Sequence, residues 1–495
     1  MAETASPNLS KSRFVAGMQC VKLMWLRVHE KDAPELKLDP RLQDIITQGD
    51  EVGALAREQF PGGVMVDLPH DDPRREARTR ELLASGAPAV FEATFVADRT
   101  FAAIDVLLRE ASGFTLIEVK SATSAHDKYL PDVAIQTHVA RRSGIPIRRV
   151  EIMHLNGDYV HPGPNLFVRT DVTAKVEALL PDIPAAIAAQ LDVLAHEEPE
   201  VTIGEHCRVP HECPFQSRCW PDDPLGVLTI HGMLYAKRFD LLQHGIRRIA
   251  DLPANFKLNE VQRRQRKAVE RGGLVIEPGL RAAMAPYAGR LGFLDFETVG
   301  RAIPRWNGTQ PWQQIGVQFS YHERQADGSY THAEYLAPSD CDPREEIATR
   351  LVEVTRNADR VVMYTPFERT QIRMMKQFVP RLVPELDALE AKLLDLKQVV
   401  HHHVYHPAFA GSFSIKDVLP ALIPEMSYKD SVTILDGQEA SAKLARLLFY
   451  AGELTEAERE QIKAELLAYC KYDTWAMVKL TERLSSLAGL TASAR

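Results

Sequence analysis

The stretch Leu291–Thr298, LGFLDFET, carries an apolar run into Asp295 and Glu297, with Phe296 between them. Residues two apart on a strand face the same side, so both carboxylates project together. Two such acids at the end of a buried strand are unfavourable without a cation, which makes them a candidate divalent-metal site. Taken alone, the same tripeptide also fits a strand end in water. Downstream, Tyr469 and Asp473 are four apart on a predicted helix and share one face, so the tyrosine can hold an attacking water while the aspartate holds a metal. Earlier in the chain, Asp105 precedes Glu118, Val119 and Lys120. Carboxylates in that arrangement hold a cation, and a lysine beside the attacking water orients it and offsets charge on a phosphorane. Cys20, Cys207, Cys213 and Cys219 form a further set, the last three in HCRVPHECPFQSRCW with five residues between successive thiols. Four thiolates are the ligand count of a cubane iron–sulfur cluster. The spacing lacks CxxC knuckles, so zinc is the second choice, kept open by His206 and His211.

Ordinary elements must position these residues. Leu9–Glu30 reads as one capped helix with Ser10 or Ser12 as N-cap, an apolar stripe of Phe14, Met18, Val21 and Trp25, and Cys20 within it. Gln48–Phe60 is a second helical pattern closed by Pro61 and Gly62. Residues 91–96, 100–108 and 113–120 read as strands, the last two as a hairpin around Ser112–Gly113 that brings Asp105 beside Glu118 and Lys120. From Leu225 to about Pro286 the pattern is helical and broken, and LYAKRFDLLQHGIRRIADLP suggests a helix-hairpin-helix as the alternative to a plain linker. Gln314–Tyr321 and Tyr330–Leu336 flank an Asp327–Gly328 turn, Arg360–Tyr364 is a buried strand leading to Phe367 and Glu368, and Leu466–Leu480 is a helix.

Length sets the domain count at two to four. With 45% apolar and 25% charged residues, and no apolar run long enough to span a bilayer, the composition excludes an ordinary helical membrane protein. The opening MAETASPNLSKSRF lacks a signal-peptide core, so a cytoplasmic protein is expected, whose six cysteines are thiols or ligands rather than disulfides. Cys341 and Cys470 read as ordinary buried or partly buried thiols. The net charge of −8 does not advertise nucleic-acid binding. Local basic patches at Arg141, Arg142, Arg148 and Arg149, and in QRRQRK from Gln262 to Lys267, can each meet phosphates or face water. In HHHVYH, His401–His403 and His406 have no ligand spacing that favours a metal, and an exposed strand or loop is the expectation there.

AIDVLL (Ala103–Leu108), IEVKS (Ile117–Ser121) and the following AIQTHVA resemble the restriction-endonuclease-like fold, and more narrowly the RecB-like PD-(D/E)XK nucleases, including the CRISPR-associated RecB-like exonucleases. The resemblance implies that Asp105, Glu118 and Val119 hold the metal, Lys120 serves the nucleophile and Gln136 assists. It also implies a 4Fe-4S cluster with one cysteine, Cys20, before the core and three after it. Ala140 stands where that family has a tyrosine, and Glu51 is the candidate for its early acid. The C-terminal segment, with LDFET, YTPFE and YCKYDT, resembles the DEDD exonucleases of the ribonuclease H-like fold, in the variety ending in tyrosine, three residues, aspartate. It looks like an uncharacterised bacterial domain family of that superfamily. By this resemblance Asp295, Glu297 and Asp473 bind two metals and Tyr469 orients the nucleophile. Glu368 stands where an aspartate is usual, with Asp395 as the rival fourth acid.

The expected architecture is α/β: residues 1–224 a RecB-like domain of mixed sheet with an iron–sulfur cluster, 225–288 a helical connector, and 289–495 a ribonuclease H-like DEDD-type exonuclease domain. The expected function is a Mg2+- or Mn2+-dependent nuclease acting on DNA, single-stranded ends above all, in repair, processing or defence, with no membrane partner. A nucleic-acid-binding adaptor with one or both sites inactive is the first alternative, and a ribonuclease the second.

Overall fold

The computed structural model describes residues 9–339, 341–434 and 436–490, so the first eight residues, on which the leader reading rests, lie outside the described residues. The chain divides into two compact units. Unit 1 comprises residues 1–220 together with 301–313, and unit 2 comprises 221–300 together with 314–495. Residues 225–288, expected as a connector, therefore fall inside unit 2, and a short insert from the C-terminal half belongs to unit 1.

Unit 1 is built on a seven-stranded mixed sheet: β1 (Leu9–Ser10), β2 (Val64–Met65), β3 (Ala89–Ala97), β4 (Thr100–Glu110), β5 (Gly113–Lys120), β6 (Ile147–Leu155) and β7 (Phe167–Asp171). The order is β2-β3-β4-β5-β6-β7, with β1 parallel to β4. The β3–β4 hairpin closes through Asp98 and Arg99, both at positive φ (51° and 58°), as a two-residue turn matched to strand twist requires. Pairing of Val106 with Ile117 leaves Asp105 and Glu118 as the next residues on β4 and β5. Helix Leu130–Arg142 then connects β5 to β6, which run parallel. One face of the sheet and these helices enclose Phe14, Met24, Phe95, Ile104, Leu107, Leu116, Ile135 and Val139.

The single helix expected over Leu9–Glu30 is two, Lys11–Gln19 and Val21–His29. Cys20 between them is extended (φ −161°, ψ 120°), so its side chain leaves the helical stripe. Residues 301–313 complete a second small core, where Ala302 and Trp312 pack with Val52 and Leu155. The Trp312 indole donates to the Ser121 carbonyl at 2.6 Å, and Arg301 pairs with Asp44 at 2.6 Å.

In unit 2 the strands are β8 (Val275–Ile276), β9 (Leu291–Val299), β10 (Ile315–Arg324), β11 (Tyr330–Leu336), β12 (Arg360–Met363), β13 (Leu393–Asp395) and β14 (Val404–Tyr405). Five of them form one mixed sheet in the order β11-β10-β9-β12-β13, and β8 pairs with β14 apart from it. β10 is antiparallel to both neighbours, whereas β9, β12 and β13 are mutually parallel. Helix Glu456–Leu487, 32 residues long and opened by a Thr455–Glu458 capping box, packs on β9 and β10. The second arm of the suggested helix-hairpin-helix is a three-residue 3₁₀ turn, Ile249–Asp251. His401–His403 end helix Leu396–His403 instead of lying on a strand or loop; β14 begins one residue later. Among the described residues, no helix is long and apolar enough to cross a membrane.

Candidate metal centres and a cysteine-lined cavity

In unit 2, β9 is the central strand and runs on to Val299, so Asp295 and Glu297 lie within it and not at its end as expected; alternation sets them on one side, where the long helix brings Asp473. One carboxylate oxygen from each of the three lies within 4.8 Å of the others. Tyr469, one helical turn before Asp473, is buried, and its hydroxyl oxygen accepts from Lys416 Nζ at 2.9 Å. The Tyr428 hydroxyl donates to Asp473 Oδ1 at 2.5 Å, and the Cys470 thiol donates to Asp295 Oδ2 at 3.5 Å. A cavity of about 430 Å³ opens here, lined by Asp295, Glu297, Glu368, Lys416, Tyr469 and Asp473 among others.

Glu368 is placed by the first turn of helix Phe367–Phe378, just past β12, and is buried beside the trio without joining its tight group. Asp395 is occupied otherwise: it caps helix Leu396–His403 by accepting from the Gln398 amide at 3.1 Å. Burial and mutual repulsion push these acids upward. Asp295 and Glu297 stand well above the ordinary carboxylate range, first through burial and then through Asp473. Asp473 is pushed up to about 6 by burial, restrained by hydrogen bonds from Tyr428 and Tyr469 and by Lys416. Glu368 rises to about 8, again through burial first. Crowded, desolvated carboxylates of this kind are the donor set a hard divalent cation satisfies.

In unit 1 the four expected residues meet. Gln136 Nε2 donates to Glu118 Oε2 at 2.8 Å, Lys120 Nζ donates to Glu118 Oε1 at 2.7 Å, and the Val119 amide donates to Asp105 Oδ2 at 2.7 Å. Two further residues share the site. Asp132 accepts from Lys120 at 2.8 Å and from Gln136 at 3.1 Å. Lys11 donates to both Glu118 oxygens, at 3.1 and 3.3 Å. Asp132 was legible as the residue four before Gln136 on one helix face; Lys11 had no signal beyond its nearness to Cys20. Burial, reinforced by Glu118, pushes Asp105 up to about 7. Burial also works against ionised Glu118, but the Lys11 and Lys120 ammonium groups outweigh it and hold Glu118 well below the usual range. Among the described residues, Gln136 Oε1 is buried without a hydrogen-bond partner. Glu51 does not join these residues; it pairs with Arg305 at 2.9 Å. Ala140 is wholly buried in the core.

Cys20, Cys207, Cys213 and Cys219 all line one small cavity of unit 1. Among the described residues no three of them bring their sulfurs within 4.8 Å of one another. Burial pushes the Cys213 and Cys219 thiols up, and the neighbouring thiols add to the shift. The turn at Cys20 is fixed from next door, where Gln19 donates to the carbonyls of His206 and His211 at 2.8 and 2.7 Å. Arg218 ties the far end to Glu35 and Glu30 at 2.7 and 2.5 Å. Cys470 is buried, as expected, whereas Cys341 is exposed, contrary to expectation, in the loop before helix Arg344–Thr355.

The basic patches are largely spoken for. Arg141 pairs with Glu177, Arg142 with Asp98, and Arg149 with Glu151 and Asp171, while Arg148 donates to the Ser112 carbonyl. Within Gln262–Lys267, Arg264 is buried against Glu277 and the His401 carbonyl, and Arg266 pairs with Glu270. Among the described residues His401–His403 and His406 gather into no ligand group.

Residues 292–414 match a family described as a domain of unknown function, DUF2779. The match includes Asp295, Glu297 and Glu368 and stops before Lys416, Tyr469 and Asp473. No curated protein matches the chain.

Proposed function

We propose that the chain is a Mg2+- or Mn2+-dependent nuclease that hydrolyses phosphodiester bonds of DNA at single-stranded ends, in repair, processing or defence against foreign DNA. The observation that carries this reading is the trio Asp295, Glu297 and Asp473, held within 4.8 Å with Tyr469 one turn away. The order β11-β10-β9-β12-β13, with β10 alone antiparallel to β9, supports a ribonuclease H-like domain of the DEDD type. The succession of β3, β4, β5, helix Leu130–Arg142 and β6 supports a RecB-like nuclease domain.

Asp295, Glu297 and Asp473 would hold the cation in unit 2, with Glu368 beside them. Asp105 and Glu118, with the Val119 backbone, would hold it in unit 1. When bound, such ions stabilise charge developing on phosphoryl oxygen and lower the pKa of the attacking water. The residues of the chain do the rest. Tyr469 keeps its phenol proton, through burial and the nearby carboxylates; the proton is shared with Asp473, and is freed to orient an attacking water once that carboxylate is taken up by a cation. Lys120, anchored by Asp132 and Glu118, presents a fixed positive charge to the phosphoryl group.

Cys20, Cys207, Cys213 and Cys219 are the proposed ligands of a 4Fe-4S cluster, a group that would tie the N-terminal helices to the segment after the sheet. A single tetrahedral zinc, with bonds of about 2.3 Å, would draw sulfurs to roughly 3.8 Å of one another. Four thiols around one cavity are what supports a bound metal or cluster at this place.

The test is magnesium-dependent cleavage of single-stranded DNA labelled at either end, by anaerobically purified protein beside Lys120→Ala and Asp295→Ala, with RNA of the same sequence in parallel. Products that one substitution abolishes identify the active centre and its polarity, and RNA products alone would make the chain a ribonuclease. Intact labels on both polymers would leave the second reading, a nucleic-acid-binding adaptor. One observation favours it: Glu368, replacing the usual aspartate, stands outside the tight acidic trio.

A further inference from the structure

Lys11 opens helix Lys11–Gln19, and its backbone is pinned on both sides. Leu9–Ser10 pairs with Thr100–Phe101 of β4, and the Ser10 hydroxyl caps the helix by accepting from the Arg13 amide. From that fixed root the side chain reaches the two carboxylates of unit 1. Its ammonium lies 3.1 and 3.3 Å from the Glu118 oxygens and 3.9 Å from Asp105 Oδ1.

An ionised carboxylate has about four lone-pair positions. Those of Glu118 are filled: Oε1 accepts from Lys11 and Lys120, and Oε2 from Lys11 and Gln136. A magnesium ion shared by Asp105 and Glu118 needs oxygen at about 2.0–2.1 Å from each. One donor must therefore leave when a metal arrives. Lys120 is anchored elsewhere by Asp132, and Gln136 is wholly buried. Lys11 is the donor with a way out. Its side chain is 27% exposed, little more than the 22% of Lys120, but unlike Lys120 it meets, among the described residues, no acceptor beyond this pair of acids.

We propose that Lys11 is a built-in counter-ion of the N-terminal centre: it occupies the ligand lone pairs of Asp105 and Glu118, and a divalent cation binds there only by displacing it. This rests on the reading of those two acids as metal ligands. Lys11 thus sets the affinity of the centre low and keeps buried Glu118 and half-buried Asp105 compensated until metal enters. A unit positive charge at this distance repels a divalent ion strongly enough to change its affinity by well over tenfold.

The experiment uses the full chain, prepared anaerobically, carrying Asp295→Asn and Asp473→Asn to silence the acids of unit 2. Mn2+ is titrated in, and free ion is counted by electron paramagnetic resonance. Lys11→Gln should bind one ion at least about tenfold more tightly than its Lys11 parent, Lys11→Arg should match the parent within about threefold, and adding Glu118→Gln should abolish the gain. Equal or weaker binding by Lys11→Gln overturns the proposal while leaving the metal reading of the site intact. If neither parent nor Lys11→Gln holds an ion that Glu118→Gln removes, the metal reading of Asp105 and Glu118 falls with it. Thermal unfolding covers the case of an unstable variant. Mn2+ must then raise the Tm of Lys11→Gln by more than it raises the parent's, and an equal or smaller rise also overturns the proposal.

Discussion

Lys416 Nζ donates to the Tyr469 hydroxyl oxygen at 2.9 Å, which leaves the phenol proton for donation elsewhere, and that hydroxyl is among the groups bonded to Asp473. A lysine, a tyrosine and a carboxylate thus form one chain along the wall of the unit 2 cavity. Tyr469→Phe should lower single-turnover hydrolysis of single-stranded DNA by about 10²–10³-fold, the usual cost of losing one aligned donor. Lys416→Met should lower it by about 10–100-fold, because the phenol loses its anchor and keeps its proton. In both variants magnesium affinity by calorimetry should stay within about threefold of wild type. Loss of metal binding in Tyr469→Phe would show that the tyrosine supports the acids and not the water.

The raised carboxyls give a pH dependence of definite sign. A carboxyl whose folded value is raised holds its proton more tightly in the folded state. Its stabilising effect is complete below the unfolded value, about 4, and is lost as pH rises through the folded value. Asp473 at about 6, Asp105 at about 7 and Glu368 at about 8 place that loss between about pH 4 and 8. Glu118, shifted downward, contributes only below that window. His322, His332 and His401, lowered to about 4 by burial, add an opposite slope below about pH 6.5, so metal-free protein in chelator should lose about 2 kcal/mol or more of unfolding free energy between about pH 6.5 and 8. Saturating Mg2+ should remove most of the slope. A flat profile in chelator would mean that these acids are compensated without metal.

Asp295→Asn should raise the Tm of the metal-free protein, since one of several mutually repelling buried charges is gone. The same substitution should shrink the Mg2+-induced rise in Tm. Differential scanning fluorimetry with and without chelator measures both, and a lower metal-free Tm would contradict the repulsion argument.

Gln136 donates to Glu118 and Asp132 while itself fully buried, so Gln136→Ala leaves two carboxylates short of a donor. Urea unfolding should show a loss of about 1–3 kcal/mol. Gln136→Glu, adding a further acid, should cost more, and the ordering of the two variants is the informative result.

On the proposal that the four thiols hold a 4Fe-4S cluster, Cys213→Ser should strip iron and labile sulfide from anaerobically purified protein, bleach its visible absorbance and render unit 1 sensitive to protease. Zinc without sulfide in the wild type would replace the cluster with the second-choice ion.

The parts of the molecule that follow local rules were readable in the sequence. Alternation placed Asp295 and Glu297 on one face, and the i, i+4 relation placed Tyr469 above Asp473. What escaped were long-range partners. Lys11 reaches Glu118 across 107 positions of chain, and nothing in LSKSRF distinguishes a lysine that faces water from one that neutralises a buried acid. Lys416 and Tyr428 converge on Tyr469 and Asp473 from segments whose packing no periodicity encodes. The helix break at Cys20 was invisible for a similar reason. The apolar stripe runs through it unbroken, and tertiary bonds such as Gln19 to His206 and His211 override it. The basic clusters misled in the opposite sense, because their arginines are largely consumed by nearby acids and carbonyls.

The insert 301–313 has a bearing on how the protein comes off the ribosome. Ala302 and Trp312 belong to the same small core as Val52 and Leu155, yet they are translated long after the rest of that unit has emerged. Chains that grow at about 5–20 residues per second fold their early domains first. Here the early domain must wait, its Ser121 carbonyl lacking the Trp312 indole until the first strand of the later sheet has been made. The two units are interleaved along the chain, and the first is completed only after residues 221–300 of the second have been made.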